Sequence, residues 1–214
     1  MSNHNEKIMP NNVMKIESIL KEQEKLDKNG RFSVVNRETG RFIYFLIKAK
    51  NPKNVLEIGT SIGYSSLWIA SALSRKSKLI TLERWPERAQ IAKKFFRKSK
   101  LNIKLIEGDA LNLIPNINSK FDAVFIDAAK ADYMNYLKLL IKCKKLRKHT
   151  LIVADNTVSH ARKMQDFLDF ADKNNAVTAE IGKGVFFQNL NFFIFLFHFS
   201  SLYSFYLFAL LIFQ

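Results

Sequence analysis

The chain has 214 residues, 48% of them hydrophobic, a length and composition that suit one folded domain with a sizeable core and short appendages. Its single cysteine, Cys143, excludes an internal disulfide and a cysteine-built zinc site, fits a reducing compartment, and leaves any metal to oxygen ligands. Lysine and arginine number 34 against 19 acids, a formal charge of +15 that points toward nucleic acid or an anionic membrane unless structure accounts for the cations.

The N-terminus, MSNHNEKIMPNN, is polar, carries Glu6 and lacks an apolar stretch, so no secretory signal is read and a cytoplasmic location is the expectation. From Asn11 to Leu26 the residues Val13, Ile16, Ile19 and Leu20 recur at helical spacing, and Asn29-Gly30 stops them, which predicts an N-terminal helix. NRETGRFIYFLIKAK then predicts a second helix, ended by Asn51-Pro52. A regular alternation follows. Strands are predicted at 54–59, 78–83, 102–108, 121–127, 150–155 and 176–182, with helices over 63–73, 86–99, 131–146 and 160–174. Repeated βαβ units of this kind predict an α/β fold, a doubly wound Rossmann-like sheet flanked by helices. The expected organisation is a helical segment over 1–30, a main domain over 31–184 and a hydrophobic tail over 185–214.

Parallel strands put their C-terminal ends on one edge of the sheet, where ligands collect. Glu57, Glu83, Asp127 and Asp155 end four of the predicted strands, and Asp109 follows another closely. The densest basic runs, 74–78, 93–100 and 142–148, each close a predicted helix on the opposite edge, where cations favour the helix C-terminus. That placement weakens the nucleic-acid argument from net charge.

The turn LEIGTSIGYSS (56–66) joins a strand to a helix start. Gly59 and Gly63 allow close backbone approach to a ligand, and Ser65 can donate at the helix N-terminus. Glu83, at the second strand's end, can accept both hydroxyls of a ribose, and the GDA sequence over 108–110 adds a polar contact where an adenine would lie. Asp127 ends the fourth strand, and Asp155 with Asn156 ends the fifth. Neighbouring strands lie about 4.8 Å apart, so three oxygen donors can converge on one hard cation.

These motifs, with VVNRETGRF before them and VADNTV after them, resemble the metal-dependent class I S-adenosylmethionine O-methyltransferases, the caffeoyl-CoA and catechol O-methyltransferase group, from about Val35 to Gly184. By that resemblance Glu57, Gly59, Thr60 and Ser65 hold the methionine end and sugar of S-adenosylmethionine, Glu83 takes the ribose hydroxyls, Asp109 and Ala110 flank the adenine, and backbone near Val35 closes the pocket. The resemblance further implies that Asp127, Asp155 and Asn156 bind magnesium or another divalent ion, with Asp127 also at the cofactor, and that Lys130 is the catalytic residue, taking a proton or stabilising an oxyanion. The implied acceptor is a catechol-like or other small hydroxylated molecule; the alternative is a hydroxylated wobble uridine of tRNA, which the charge suits. A third reading, a catalytically silent cofactor-binding or membrane-associated protein, has the intact set of Lys130, Asp127, Asp155 and Asn156 against it. The N-terminal helix resembles the family's dimer-forming segment, so a homodimer is expected.

Two stretches depart from the resemblance. TVSHARK follows Asn156 where relatives carry an aromatic and a glycine, and His160 there reads as a surface histidine. From Val185 onward no residue is charged, and residues 192–213 are long enough to span a bilayer as a helix. A membrane anchor and a replaced C-terminal strand are both open readings of that tail.

Overall fold

The computed structural model describes residues 11–157 and 159–173, and the backbone of 187–188 and 192–196. The expected N-terminal helix is two pieces, α1 (Asn11–Met14) and α2 (Glu17–Leu26). The break falls at Lys15–Ile16, where the Ile16 amide closes a tighter turn on the Val13 carbonyl at 3.0 Å. Helix α3 (Arg37–Lys50) begins where the Asn36 side chain accepts from the Thr39 amide and ends on Asn51 in a left-handed conformation.

The alternation then runs as β1 (Asn54–Ile58), α4 (Tyr64–Ala72), β2 (Lys78–Glu83), α5 (Pro86–Ser99), β3 (Ile103–Glu107), α6 (Ala110–Leu113), β4 (Phe121–Ile126), α7 (Tyr133–Lys142), β5 (Leu146–Ala154) and α8 (Gln165–Lys173). Helix α6 is too short to leave a periodic signal and was not expected. It exists because Asp109 caps it, accepting from the Leu111 amide at 2.8 Å. Strand β5 starts earlier than predicted, so the basic run at 142–148 is partly strand rather than a helix end. Arg147 there pairs with Asp122 at 3.2 Å.

The sheet order is β3-β2-β1-β4-β5, continued by β7 (Phe192–Leu196) and β6 (Phe187–Gln188). Strands β1 to β5 are parallel, β7 pairs parallel with β5, and β6 is antiparallel to β7. An uncharged Phe/Ile/Leu run is what a strand inside a sheet requires. Residues 192–196 of the proposed membrane span are therefore strand; residues 197–213, and the strand expected at 176–182, lie outside the described residues. Among the described residues no helix is long and apolar enough to cross a membrane.

Strand periodicity divides the core into two layers. Val55, Leu79, Ala123, Phe125, Leu151 and Val153 face a cluster built with α1 to α5, including Val13, Ile16, Ile19 and Leu20 of the N-terminal helices. Leu56, Ile58, Ile80, Leu82, Val124, Ile126 and Ile152 face the other cluster, with Tyr133, Leu137 and Leu140 of α7 and Phe167 of α8. The order reverses between β1 and β4, which opens the crevice of a doubly wound sheet above their C-terminal ends.

Candidate active site

A cavity of about 310 Å³ occupies that crevice. Its walls include Val35, Gly59, Thr60, Ser65, Glu83, Asp109, Ala110, Asp127 and Lys130, residues drawn from five separate stretches of sequence.

The floor is the turn between β1 and α4. The amides of Gly59 and Thr60 both donate to the Leu82 carbonyl, at 3.0 and 3.2 Å, and the Gly63 amide closes the turn on Thr60 at 2.8 Å. Gly59 has φ +100, and a Cβ there would overlap the Asp127 carbonyl oxygen, so only glycine lets β1 and β4 close together at the switch point. Ser61 bears a side chain at φ +48. Its amide donates to Glu83 Oε2 at 2.7 Å and its hydroxyl to the Phe32 carbonyl at 2.7 Å.

Glu57 does not line the cavity. It has the parity of Val55, pairs in register with Thr81 and Phe125, and is fully buried on the α4 face of the sheet. Its carboxylate accepts from the hydroxyls of Ser65 and Thr81, each at 2.6 Å, and from Ser66. Glu57, expected at the methionine end of the cofactor, lies beneath the turn, where it ties the first turn of α4 to β1 and β2. Burial pushes its carboxyl up to about 7, against the three hydroxyl bonds that favour the charged form. Thr60 lines the cavity, but its hydroxyl is turned toward Thr81, 2.5 Å away.

Glu83 stands at the end of β2, its two oxygens held by the amides of Ser61 and Trp85, the latter at 2.8 Å. Each carboxylate oxygen retains a free lone pair for a ribose hydroxyl. Asp109 and Ala110 open α6 beside Tyr136, which lines the same wall and whose hydroxyl is pushed up to about 12, first by burial and then by Asp132 and Asp109.

Asp127 and Asp155 follow directly on the paired residues Ile126 and Ala154, so they leave adjacent strands at the same level. Lys130 Nζ donates to Asp127 Oδ1 at 2.6 Å and to the Tyr133 hydroxyl at 3.2 Å, and lies 5.5 Å from the Tyr133 ring centroid. The Tyr133 hydroxyl donates in turn to the Asp155 carbonyl at 3.1 Å, and its ring meets Phe167 edge-on at 5.7 Å. Tyr133 is fully buried and its pKa lies well above the usual tyrosine range, chiefly through burial. Three residues after Lys130, it holds the amine over the cavity. Sequence reading missed it although it stands within FIDAAKADYMNYL; the spacing of three on a helical turn was the available signal.

Asp155 and Asn156 lie beside the cavity rather than in its wall. The Asp155 carboxylate accepts from the Asn156 amide at 2.7 Å, and burial, followed by the charge of Asp127, raises it to about 7. Asp155, buried and raised by the charge of Asp127 despite Lys130 and the Asn156 amide, is a carboxylate that a cation beside Asp127 would favour. Among the described residues no cluster of three or more His, Cys, Asp or Glu occurs, so an ion here would rest on two carboxylates and an amide oxygen, with acceptor or water oxygens completing its shell. His160 is half-buried outside the cavity wall, its ring nitrogen 2.9 Å from the Ser159 hydroxyl. Burial, then Lys130 and Lys163, lower its pKa.

The mouth is built from residues that no motif indicated. Trp85 is 52% exposed, with the Arg84 guanidinium 4.8 Å from its ring centroid and Arg88 also on the wall. Arg31 lies near, paired with Glu87 at 2.6 Å.

The model of the O-methyltransferase family matches residues 11–185 of the chain. A catechol O-methyltransferase of Niastella koreensis is 34% identical over 138 residues, 62% of this chain and 62% of that protein. Caffeoyl-CoA O-methyltransferase 2 of Petunia hybrida is 36% identical over 129 residues, 56% of this chain and 52% of that one. The chain therefore spans about half to three fifths of the length of these curated relatives. The crystal structure of the O-methyltransferase from Bacillus cereus in complex with SAH superposes with a TM-score of 0.71 at 25% identity, covering 85% of this chain and 91% of that one.

Proposed function

Because the chain belongs to the O-methyltransferase family, we propose that it transfers a methyl group from S-adenosylmethionine to a hydroxyl of a catechol-like or similar small acceptor, with help from a divalent cation. The observation that carries this reading is the meeting of Glu83 with the Asp127–Lys130 pair around one cavity, with Asp155 beside it.

Glu83 accepts the ribose hydroxyls, Asp109 and Ala110 flank the adenine, and the turn from Gly59 to Ser65 faces the methionine end. S-adenosylmethionine supplies an electrophilic methyl on sulfur when bound. Asp127, Asp155 and Asn156 would hold magnesium or a similar ion, which lowers the pKa of coordinated hydroxyls and fixes their direction. Lys130, hydrogen-bonded to Asp127 and Tyr133, would hold the acceptor's oxyanion as an ammonium, or take the acceptor's proton only after losing one of its own to solvent. Tyr133, with its hydroxyl kept protonated, fixes the height of that amine and excludes water from beneath it.

The rim favours a second reading for the acceptor. An exposed indole among arginines suits stacked bases and phosphates, which supports a hydroxylated uridine in tRNA. The two are separated by incubating the protein and labelled S-adenosylmethionine with bulk tRNA and with a catechol panel. On whichever acceptor takes label, Asp155→Ala is expected to abolish transfer while S-adenosylhomocysteine (SAH) still binds, and chelator to do the same to the wild type reversibly with magnesium or manganese. Full activity in excess chelator would remove the metal from the mechanism.

A further inference from the structure

Two side chains of α2, and Asp27 that caps its end, reach the cavity's walls without lining the cavity. Gln23 is completely buried, and its Nε2 donates to the carbonyl of Ile62, at the back of the glycine turn, at 2.7 Å across 39 residues of sequence. Glu24 Oε1 accepts from the Tyr64 hydroxyl at 2.5 Å, and Tyr64 lines the cavity. The Glu24 carboxylate is gripped by two nitrogens of Arg37, each at 3.0 Å, and Arg37 also reaches Glu17. Asp27, at the helix end, accepts from the amides of Phe32 at 2.6 Å and Val34 at 3.0 Å. Phe32, Ser33, Val34 and Val35 form one cavity wall, and the Phe32 carbonyl is tied to Ser61 of the turn.

These contacts differ from ordinary helix docking. The apolar side chains Ile19 and Leu20 already seat α2 in the core. Gln23 and Asp27 go to backbone groups that shape the cavity, and Gln23 Oε1 has no partner among the described residues, so this buried amide is retained for the single bond its nitrogen makes to the turn. A buried polar side chain kept at that cost fixes geometry rather than adding stability. Ser61 and Ser33 both have positive φ without being glycine, a strained backbone that persists only when its surroundings over-determine it. Asp27 and Gln23 supply that constraint from behind.

We propose that α2 is a positioning element of the cofactor pocket, in which Gln23 sets the glycine turn and Asp27 sets the strap from Phe32 to Val35, so that affinity for the cofactor depends on a helix outside the cavity wall. The proposal rests on the assignment of this cavity to S-adenosylmethionine. It predicts reciprocity: cofactor binding must stabilise α2 as much as α2 stabilises the bound state.

The test measures SAH binding by calorimetry to the full chain and to Gln23→Leu, Asp27→Asn and Asp27→Ala. Asn12→Ala is the matched control, because Asn12 ties the same N-terminal unit to the far end of α4, donating to Ser71 O at 3.2 Å. Gln23→Leu and Asp27→Ala, which lose one and two hydrogen bonds to the pocket backbone, are expected to weaken SAH about fivefold to tenfold, with Asp27→Asn between them and the wild type. Asn12→Ala should lower the melting temperature yet leave affinity within about twofold, the range of a surface change. In the wild type, saturating SAH should slow amide hydrogen exchange across residues 19–34 by more than it slows exchange in α8, which does not line the cavity; global stabilisation by binding would slow both alike, and the readout needs no variant to fold. Exchange over α2 slowed no more than over α8, or SAH affinity in Gln23→Leu and Asp27→Ala within about twofold of wild type, overturns the proposal. A wild type that fails to bind SAH at all overturns the cofactor assignment first, and this proposal with it.

Discussion

Glu57→Gln tests the assignment of Glu57 to the support beneath the turn. In the unfolded chain the carboxyl titrates near 4.5, and in the fold burial raises it to about 7. Between those values the folded protein holds a proton that the unfolded chain has released, so stability falls as pH rises through the window and stays lowered above it. The rise from 4.5 to about 7, at about 1.4 kcal/mol for each pH unit, makes the loss about 3 to 4 kcal/mol. Glutamine copies the neutral acid's charge and cannot titrate. It keeps one acceptor for Ser65, Ser66 or Thr81 and must donate to another, which costs about 1 to 2 kcal/mol at every pH. Relative to wild type, the variant should therefore be less stable near pH 5 and as stable or more so near pH 8. Urea unfolding of both proteins at the two pH values measures the difference directly, since the contributions of Asp155 and His160 are common to both and cancel. A stability difference that stays constant with pH, or that turns further against the variant as pH rises, refutes the reasoning.

Glu83→Ala should weaken SAH by about 1.5 to 3 kcal/mol, the worth of hydrogen bonds to a charged group, and calorimetry showing unchanged affinity would take Glu83 out of the site. Gly63→Ala forces a side chain into φ +88 and against the Phe96 ring, and should cost roughly 2 to 4 kcal/mol in urea unfolding; a loss below about 1 kcal/mol would mean that the turn relaxes freely.

What the sequence determined by itself was periodic or local. Alternating runs such as KLITLE over 78–83 and the Pro86-led helix to Ser99 appear in the structure with the bounds expected of them, because strand and helix periods are written in the order of apolar residues. The acids at strand ends were legible for the same reason: a carboxylate closing an apolar run must emerge at an edge. Tertiary structure alone decided which of those acids faces the cavity. Glu57 and Glu83 both sit late in apolar strands, yet one lies under α4 with three hydroxyls and the other opens onto the crevice, a difference of depth, since Glu57 is level with Thr81 and Glu83 lies two residues further along β2. The same holds for Gln23, Asp27 and Tyr133, whose roles depend on partners 39, 5 and 22 residues away. Such pairings leave no period in the chain; they exist only once two faces have packed and a buried polar group has been forced to take the one partner within reach.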